Sequence, residues 1–295
     1  MFDYRYHALS LAAVLFALVL GVLLGVAIGD SNLVSSAKNG IVANLNSEVS
    51  HSHQHADQLQ EQLSDEQAFA NGLYPLAVHE LLAGRTIGLV FLGGSSDQIN
   101  SLVRTAVAEA GGSVTTVVAV REPLDIEGLE REVVGTHYEG LEASTELVER
   151  LGDLIGRQLV SGGQLADREL ISRVRASLMS AFDGQLVRLE GLVVVRAEPG
   201  GMSAQQSEAA AAFESGLLAG VGVVHVPAVG VELTSTEPSQ IPWYKGKGLS
   251  SVDDLDNLAG QAALDYALAG DSGSFGVKST ADSLLPSVTA STSAP

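Results

Sequence analysis

Ala8 to Ile28 read ALSLAAVLFALVLGVLLGVAI, 21 consecutive residues without a charge. No other feature constrains this chain as tightly. A bilayer core of about 30 Å is crossed by about 20 apolar helical residues, and a helix satisfies its own backbone polar groups, as lipid demands. Arg5 and His7 precede the run and Asp30 follows it. A cleaved signal peptide is the rival reading. It calls for a shorter apolar core, a more basic start and a small-residue cleavage site, whereas only Ser35-Ser36-Ala37 approaches such a site. The run therefore reads as an uncleaved signal anchor spanning residues 8–29, behind a short N-terminal segment, 1–7. Arg5 lies close to the span and the first Lys beyond it is Lys38, so the positive-inside rule places the remainder on the extracytoplasmic side.

That remainder is acidic. With 35 acidic against 16 basic residues the formal charge is −19, which repels phosphate backbones and excludes a nucleic-acid partner. It also leaves no polybasic patch for anionic lipid. The absence of cysteine removes disulfides, thiolate metal sites and cysteine nucleophiles.

Past the span the chain turns polar and helical. Val42, Leu45, Val49, Ser52, Ala56, Leu59, Leu63, Glu66, Ala70 and Leu73 follow a 3-4 spacing, the frame of a coiled-coil stalk over residues 30–74; a helix packed on its own body has a similar stripe. Asn71-Gly72 and Pro75 are expected to interrupt it, with a short helix at Leu76 to Ala83 closed by Gly84.

From residue 84 to 278 the pattern becomes α/β. Apolar runs at Thr86–Leu92, Val114–Val120, Gly191–Ala197 and Val221–Val226 read as buried strands. Helices are expected at Ser96–Ala110, Ser144–Leu159, Asp167–Phe182, Ala204–Ala219 and Leu255–Ala269. Alternation of this kind predicts a mostly parallel, three-layer, Rossmann-like sheet covered on both faces. Residues 279–295 are rich in Ser, Thr, Ala and Pro and read as a disordered tail.

Four features are candidates for function. Gly21, Gly25 and Gly29 form a stripe on one helix face that suits close approach of a second helix and, with the stalk, a parallel homodimer or homo-oligomer. Glycine is also common in spans. His51, His53 and His55 form H-x-H-x-H; neutral imidazole suits Cu(II), Ni(II) and Zn(II). On a helix His51 and His55 share a face and His53 does not, while an extended chain aligns all three; solvated polar residues on a stalk are the plainer alternative. Cu(I) fits less well, since Met179 and Met202 are the only thioethers beyond Met1. Gly93-Gly94-Ser95-Ser96 follows the first strand, where doubly wound folds bind anions, but it lacks GxGxxG and the P-loop Lys, and a capped turn accounts for it equally well. Asp253, Asp254 and Asp256 precede the last helix and suit its dipole; a hard-metal site is the alternative. His79, His137 and His225 are isolated, and no Ser/His/Asp spacing marks a catalytic site. Trp243, Tyr244, Lys245 and Lys247 form a basic-aromatic stretch, expected as a solvated loop, with a contact to a partner or a lipid headgroup as the alternative.

The span His7 to Gly25, HALSLAAVLFALVLGVLLG, the helical stalk and α/β body behind it, the polar stretch Ser250 to Leu264, SSVDDLDNLAGQAAL, and Phe275 to Lys278, FGVK, together resemble the mycobacterial copper transport protein B family of actinobacteria. The resemblance covers residues of about 30 to 278 besides the span. It implies an envelope protein that limits copper accumulation, with copper as the ion concerned, placed as an outer-membrane channel in mycobacteria; it implies no particular ligand or catalytic residues. The residues themselves do not support a transmembrane β-barrel, because aromatics are only 5% of the chain and its strands are uniformly apolar rather than alternating. Three functions are in competition: an anchored copper-homeostasis protein, a non-catalytic envelope scaffold, and an enzyme on a degenerate doubly wound fold.

Overall fold

The computed structural model describes residues 4–29, 31–163, 168–197 and 200–287. The chain divides into two compact units, Met1–Ala68 and Phe69–Pro295.

Helix α1, Tyr4–Ile28, is about 37 Å long at 1.5 Å per residue, enough to cross a bilayer core. It is apolar all the way round, and Leu9, Phe16, Leu23 and Val26 are all more than half exposed. Helix α2, Ser31–Val78, runs for about 72 Å on the same rise. It is continuous through Asn71-Gly72 and Pro75, contrary to the expected break. Pro75 lies within the last turn of the helix, so it removes a single hydrogen bond, to the Asn71 carbonyl, close to where the helix ends anyway. Tyr74 and Val78 are buried in the body's core, and that burial holds the final turn in place. The short helix expected at Leu76–Ala83 does not form. The Leu82 N–H donates to the Ala110 carbonyl (2.8 Å) and the Gly84 N–H to Gly111 (3.0 Å), and these long-range bonds replace helical ones.

Seven strands form one open sheet in the order β3-β2-β1-β4-β5-β6-β7. They are β1 Thr86–Leu92, β2 Ser113–Val120, β3 Met179–Gly184, β4 Gly191–Arg196, β5 Ala228–Val231, β6 Ser250–Val252 and β7 Ser274–Phe275. All neighbouring pairs are parallel except β2–β3. Alternation along the strands sorts the core into two layers. Val90, Leu92, Val118, Val120, Leu192 and Val194 face one layer. Ile87, Leu89, Phe91, Val117, Val193 and Val195 face the other. Against the first lie α4 Ile126–Val133, α5 Thr145–Ser161, α6 Arg168–Leu178, α7 Ala204–Val223 and α8 Ile241–Gly246; against the second lie α3 Asp97–Glu109, α9 Leu258–Ala269 and the end of α2. Both faces are covered, which is why the central strands read as continuous apolar runs.

Helices α5 and α7 pack on glycine. A Cβ at Gly152 or Gly156 would run into the Phe213 or Leu217 carbonyl, and one at Gly216 or Gly220 into the Glu149 or Asp153 carbonyl. Each helix thus carries a small-xxx-small pair that brings the two backbones together.

Several expected boundaries move. Val221–Val226 is not a strand: α7 continues to Val223, and the strand is Ala228–Val231. A short valine-rich run has no periodicity that separates buried helix from buried strand, and only pairing with β4 decides it. The helix expected to reach Phe182 ends at Leu178, and Met179–Gly184 pairs antiparallel with β2 as an edge strand. The last helix begins at Leu258 rather than Leu255. Residues from Ser279 onward are not uniformly loose: Ser283 bridges to Phe275, and Asp282 pairs with Lys245 at 2.7 Å. Residues 288–295 of the expected tail lie outside the described residues, as does Asp30.

Candidate functional sites on the helices and at the strand ends

On α1, Gly21 and Gly25 share one face, and an added Cβ at either would meet nothing within 4 Å. Gly29 lies one residue past the helix, its N–H donating to the Gly25 carbonyl at 2.8 Å. Gly21 and Gly25 therefore leave an open, shallow face, whereas a Cβ at Gly29 would approach the Gly25 carbonyl to 2.9 Å.

His51, His53 and His55 are exposed on α2. Because the segment is helical, the extended arrangement that would align all three does not occur. His51 and His55 stand one turn apart on a common face, and His53 sits about 200° around the axis from His51. Among the described residues no group of three or more His, Cys, Asp or Glu is gathered to hold a metal ion. A single chain thus places two imidazoles one turn apart and turns the third away.

In the body, the crevice of a doubly wound sheet lies outside the carboxyl ends of the strands, where the strand order reverses. Here that point falls between β1 and β4. Gly93 turns the chain there with φ +104°, and a Cβ would approach the Ala197 carbonyl to 2.9 Å. Ser96 is occupied as the N-cap of α3, its Oγ accepting the Ile99 N–H at 3.3 Å. Glu122, just beyond β2, brings a carboxylate oxygen to 3.5 Å from that Cβ position. Burial, then the neighbouring Glu214 carboxylate, push Glu122 up to about 7, with Arg196 opposing. The Gly93-Gly94-Ser95-Ser96 loop therefore faces a carboxylate, a poor neighbour for an anion.

Beside this point, the ends of β4 to β7 carry the protein's own ion pairs. Arg196 ends β4 and donates from Nε to Glu214 (2.8 Å) on α7 and from Nη1 to Gln240 (2.7 Å). Its guanidinium lies 4.9 Å from the Trp243 ring centroid. The Gln240 N–H donates to Glu232 (2.5 Å), which also accepts from Ser239 Oγ (2.8 Å) and from Lys278 Nζ (2.7 Å). Lys278 donates further to the carbonyls of Leu233 and Thr236, and its backbone N–H reaches Asp253 at 3.1 Å. Glu214, Glu232 and Asp253 are almost wholly buried, so each charge depends on these partners.

Trp243 and Tyr244 belong to this network rather than to a solvated loop. Tyr244, on α8, is fully buried; its hydroxyl accepts the Arg196 N–H at 2.9 Å and donates to the Val231 carbonyl at 3.1 Å. Lys247 reaches Ser215 Oγ at 2.6 Å. The three aspartates before α9 also separate. Asp253 accepts the Val277 and Lys278 N–H groups, and Asp256 accepts from Thr234 at 2.8 Å. Asp254 is fully buried, and burial, then the Asp253 charge, push it up to about 6. They do not converge on a common point for a cation.

Two further features had no local signal in the sequence. One is a cleft of about 550 Å³ between the starts of α4, α5 and α7. One N-terminal N–H of each helix, on Gly128, Leu147 and Gln206, is engaged by the side chains of Asp125, Ser144 and Ser203, and acidic Glu127, Glu142 and Glu208 line the cleft. The other is the tie between the end of α2 and α9. Tyr74 Oη donates to Asp265 Oδ2 at 3.2 Å, and Tyr266 Oη donates to the Ala77 carbonyl at 3.0 Å. Asp265 is fully buried, and burial pushes it up to about 8, with the Tyr74 bond opposing.

These features define a mixed α/β protein that carries one long apolar N-terminal helix and a seven-stranded, mostly parallel sheet with paired, buried side chains at its strand ends. A family model described as "Copper transport outer membrane protein, MctB" matches residues 1–286, and the chain belongs to that family. Relatives include the proteins named Copper transporter MctB of Mycobacterium bovis and Mycobacterium tuberculosis, each 29% identical over 190 residues. The match takes in 62% of this chain and 60% of each relative, so the chain spans less than two thirds of the relatives' length.

Proposed function

We propose that this protein is a single-pass, membrane-anchored envelope protein of copper homeostasis, with α1 as the anchor, α2 as a dimeric stalk and the α/β body on the extracytoplasmic side. The observation that carries this reading is α1: an apolar helix of 25 residues, exposed along its length and included in the family match. An all-round apolar helix left uncovered has the surface of a lipid-embedded one. The name of the mycobacterial relatives supplies copper as the cargo. The open sheet, covered by helices on both faces, supports a role other than a β-barrel pore for the body. Placement in an outer membrane rests on the family's description alone.

Copper would meet this chain as Cu(II) at His51 and His55, since imidazole, not thioether or thiolate, is the donor available there. The α2 seam of Val42, Leu45, Val49, Leu59 and Leu63 stays about half exposed, which favours a second copy as its cover. The body has no catalytic task in this reading, and Arg196, Glu214, Gln240, Glu232 and Lys278 at the strand ends are engaged with one another. A scaffold role without metal contact is the second reading, favoured because no group of three or more His, Cys, Asp or Glu is gathered among the described residues.

Cell-associated copper in a deletion strain separates the two. Growth in raised copper should increase the metal content of the deletion strain, and wild type should restore it. A chain with His51, His53 and His55 all changed to alanine, expressed and membrane-bound, should fail to restore it. No change on deletion would leave the scaffold reading in place of the copper one.

A further inference from the structure

The amino ends of the central strands carry an opening of their own. Arg85 and Thr86 at the start of β1, Arg188 and Glu190 before β4, and His225 and Pro227 before β5 line a pocket of about 660 Å³. Strands β1, β4 and β5 are neighbours in the sheet, so three segments far apart in sequence meet there. Hydrogen bonds pin two of them together. Thr86 Oγ1 donates to the Arg188 carbonyl at 2.7 Å, the Glu190 N–H to the Thr86 carbonyl at 2.7 Å, and the Thr86 N–H to Glu190 Oε2 at 3.2 Å. The local charge runs against that of the chain. Two arginines and an imidazole share the pocket with one carboxylate, in a protein with 35 acidic and 16 basic residues. These cations are not used up by the fold. Arg85 commits Nη1 to the Leu268 carbonyl, at 2.9 Å. Neither the Arg188 guanidinium nor the His225 ring has a hydrogen-bond or ion-pair partner among the described residues. The carbonyl ends of α7 and α9 account for cations close by, but not for an Arg188 that bonds no carbonyl. His225, isolated in the sequence, is also held at a cost. It follows the C-cap of α7 with φ +57°, a left-handed conformation that helix ends ordinarily assign to glycine or asparagine. A ring kept where glycine fits better points to a use for the ring.

We propose that this pocket binds a phosphomonoester, its phosphate held by the guanidiniums of Arg188 and Arg85 and by the His225 ring. The site is independent of the copper reading. Arginine presents a planar fork of donors that matches phosphate oxygens, and a phosphate has oxygens enough for two forks and an imidazole. The acidic excess elsewhere acts weakly at this point, because salt screens exposed charges beyond about 8 Å, and the cations in contact decide. Glu190 is the opposing charge, and its Oε2 is already committed to the Thr86 N–H. The pocket is larger than a phosphate group, which leaves space for the organic part of the ester. A soluble ester and the headgroup of an anionic lipid both present this chemistry.

The test is calorimetric titration of the full chain, in non-ionic detergent micelles at pH 7, with glycerol 3-phosphate. Wild type should bind with a Kd of about 1 mM or tighter, the range that two charge-assisted hydrogen bonds sustain. Arg188→Ala, a change at an exposed side chain, should weaken binding about tenfold. His225→Gly should weaken it severalfold while the melting temperature stays level or rises, because glycine adopts the left-handed turn freely. That pairing of results separates loss of the site from loss of the fold. Glu190→Gln keeps an acceptor for Thr86 and removes the opposing charge, so it should tighten binding. Arg131→Ala, exposed on α4, removes one positive charge elsewhere and should leave the Kd unchanged. Repeating the titration in micelles that contain phosphatidic acid assigns the source. Loss of soluble-ester binding there names the lipid headgroup as the occupant, and unchanged binding names the soluble ester. Absence of binding up to about 10 mM, or binding that Arg188→Ala and His225→Gly both leave unchanged, overturns the site.

Discussion

Asp265 is the residue at which stability should depend most steeply on pH. It lies at 0% exposure on α9 with one oxygen accepting from Tyr74 and the other without a hydrogen bond. Its folded-state value of about 8 stands well above the 3.8 of a free aspartate, so the native protein holds a proton that the unfolded chain releases. The stabilisation associated with that proton is complete below pH 3.8 and is lost progressively as pH rises through 8. At roughly 1.4 kcal/mol per unit, the three units between an ordinary aspartate and pH 7 amount to about 4 kcal/mol that the folded state forgoes at neutrality. Asp265→Asn mimics the neutral acid and keeps an acceptor for Tyr74, but its amide adds buried N–H groups that cost about 1–2 kcal/mol if unpartnered. The variant should therefore be more stable than wild type by about 3 kcal/mol at pH 7. Near pH 5 that advantage should vanish. Urea unfolding of the full chain in micelles, followed by the fluorescence of its single tryptophan, Trp243, measures both. The wild-type curve should lose about 1.4 kcal/mol per pH unit relative to the variant between pH 5 and 7. Parallel curves over that range would refute the assignment of a buried, protonated Asp265.

The α5–α7 contact predicts that Gly216→Ala is among the most damaging single-methyl additions in the body. The new Cβ meets the Glu149 carbonyl, a backbone atom that cannot rotate away, so a loss of about 2–3 kcal/mol is expected in the same unfolding assay. At the strand ends, Glu214→Ala leaves Arg196 without its buried carboxylate. It should cost about 3 kcal/mol and alter Trp243 fluorescence in the folded state, because the guanidinium stacked on that ring is released.

The local sequence determined the features whose physics is local. The long apolar helix follows from 21 uncharged residues in succession, and α1 forms over Tyr4–Ile28. The strand read at Thr86–Leu92 has those same ends in the structure, and Ser96 caps α3 as a serine before a helix does. Runs buried on both faces are apolar wherever they stand, so β2 and β4 were legible too. Only tertiary structure decided β3, β5, β6 and β7, which are two to six residues long, too short for a period and defined by the neighbour they pair with. It alone carried α2 through Pro75, because the energy holding that last turn comes from Tyr74 and Val78 in a core built by α3 and α9. The strand-end network lay beyond sequence reasoning for the same reason. Arg196 meets Gln240 across 44 residues and Lys278 meets Glu232 across 46, and no local pattern records which polar residue after which strand will find its counter-charge. The three histidines were plain in the sequence, but helical geometry divided them into a pair and an outlier, since 100° per residue places His51 and His55 together and turns His53 away.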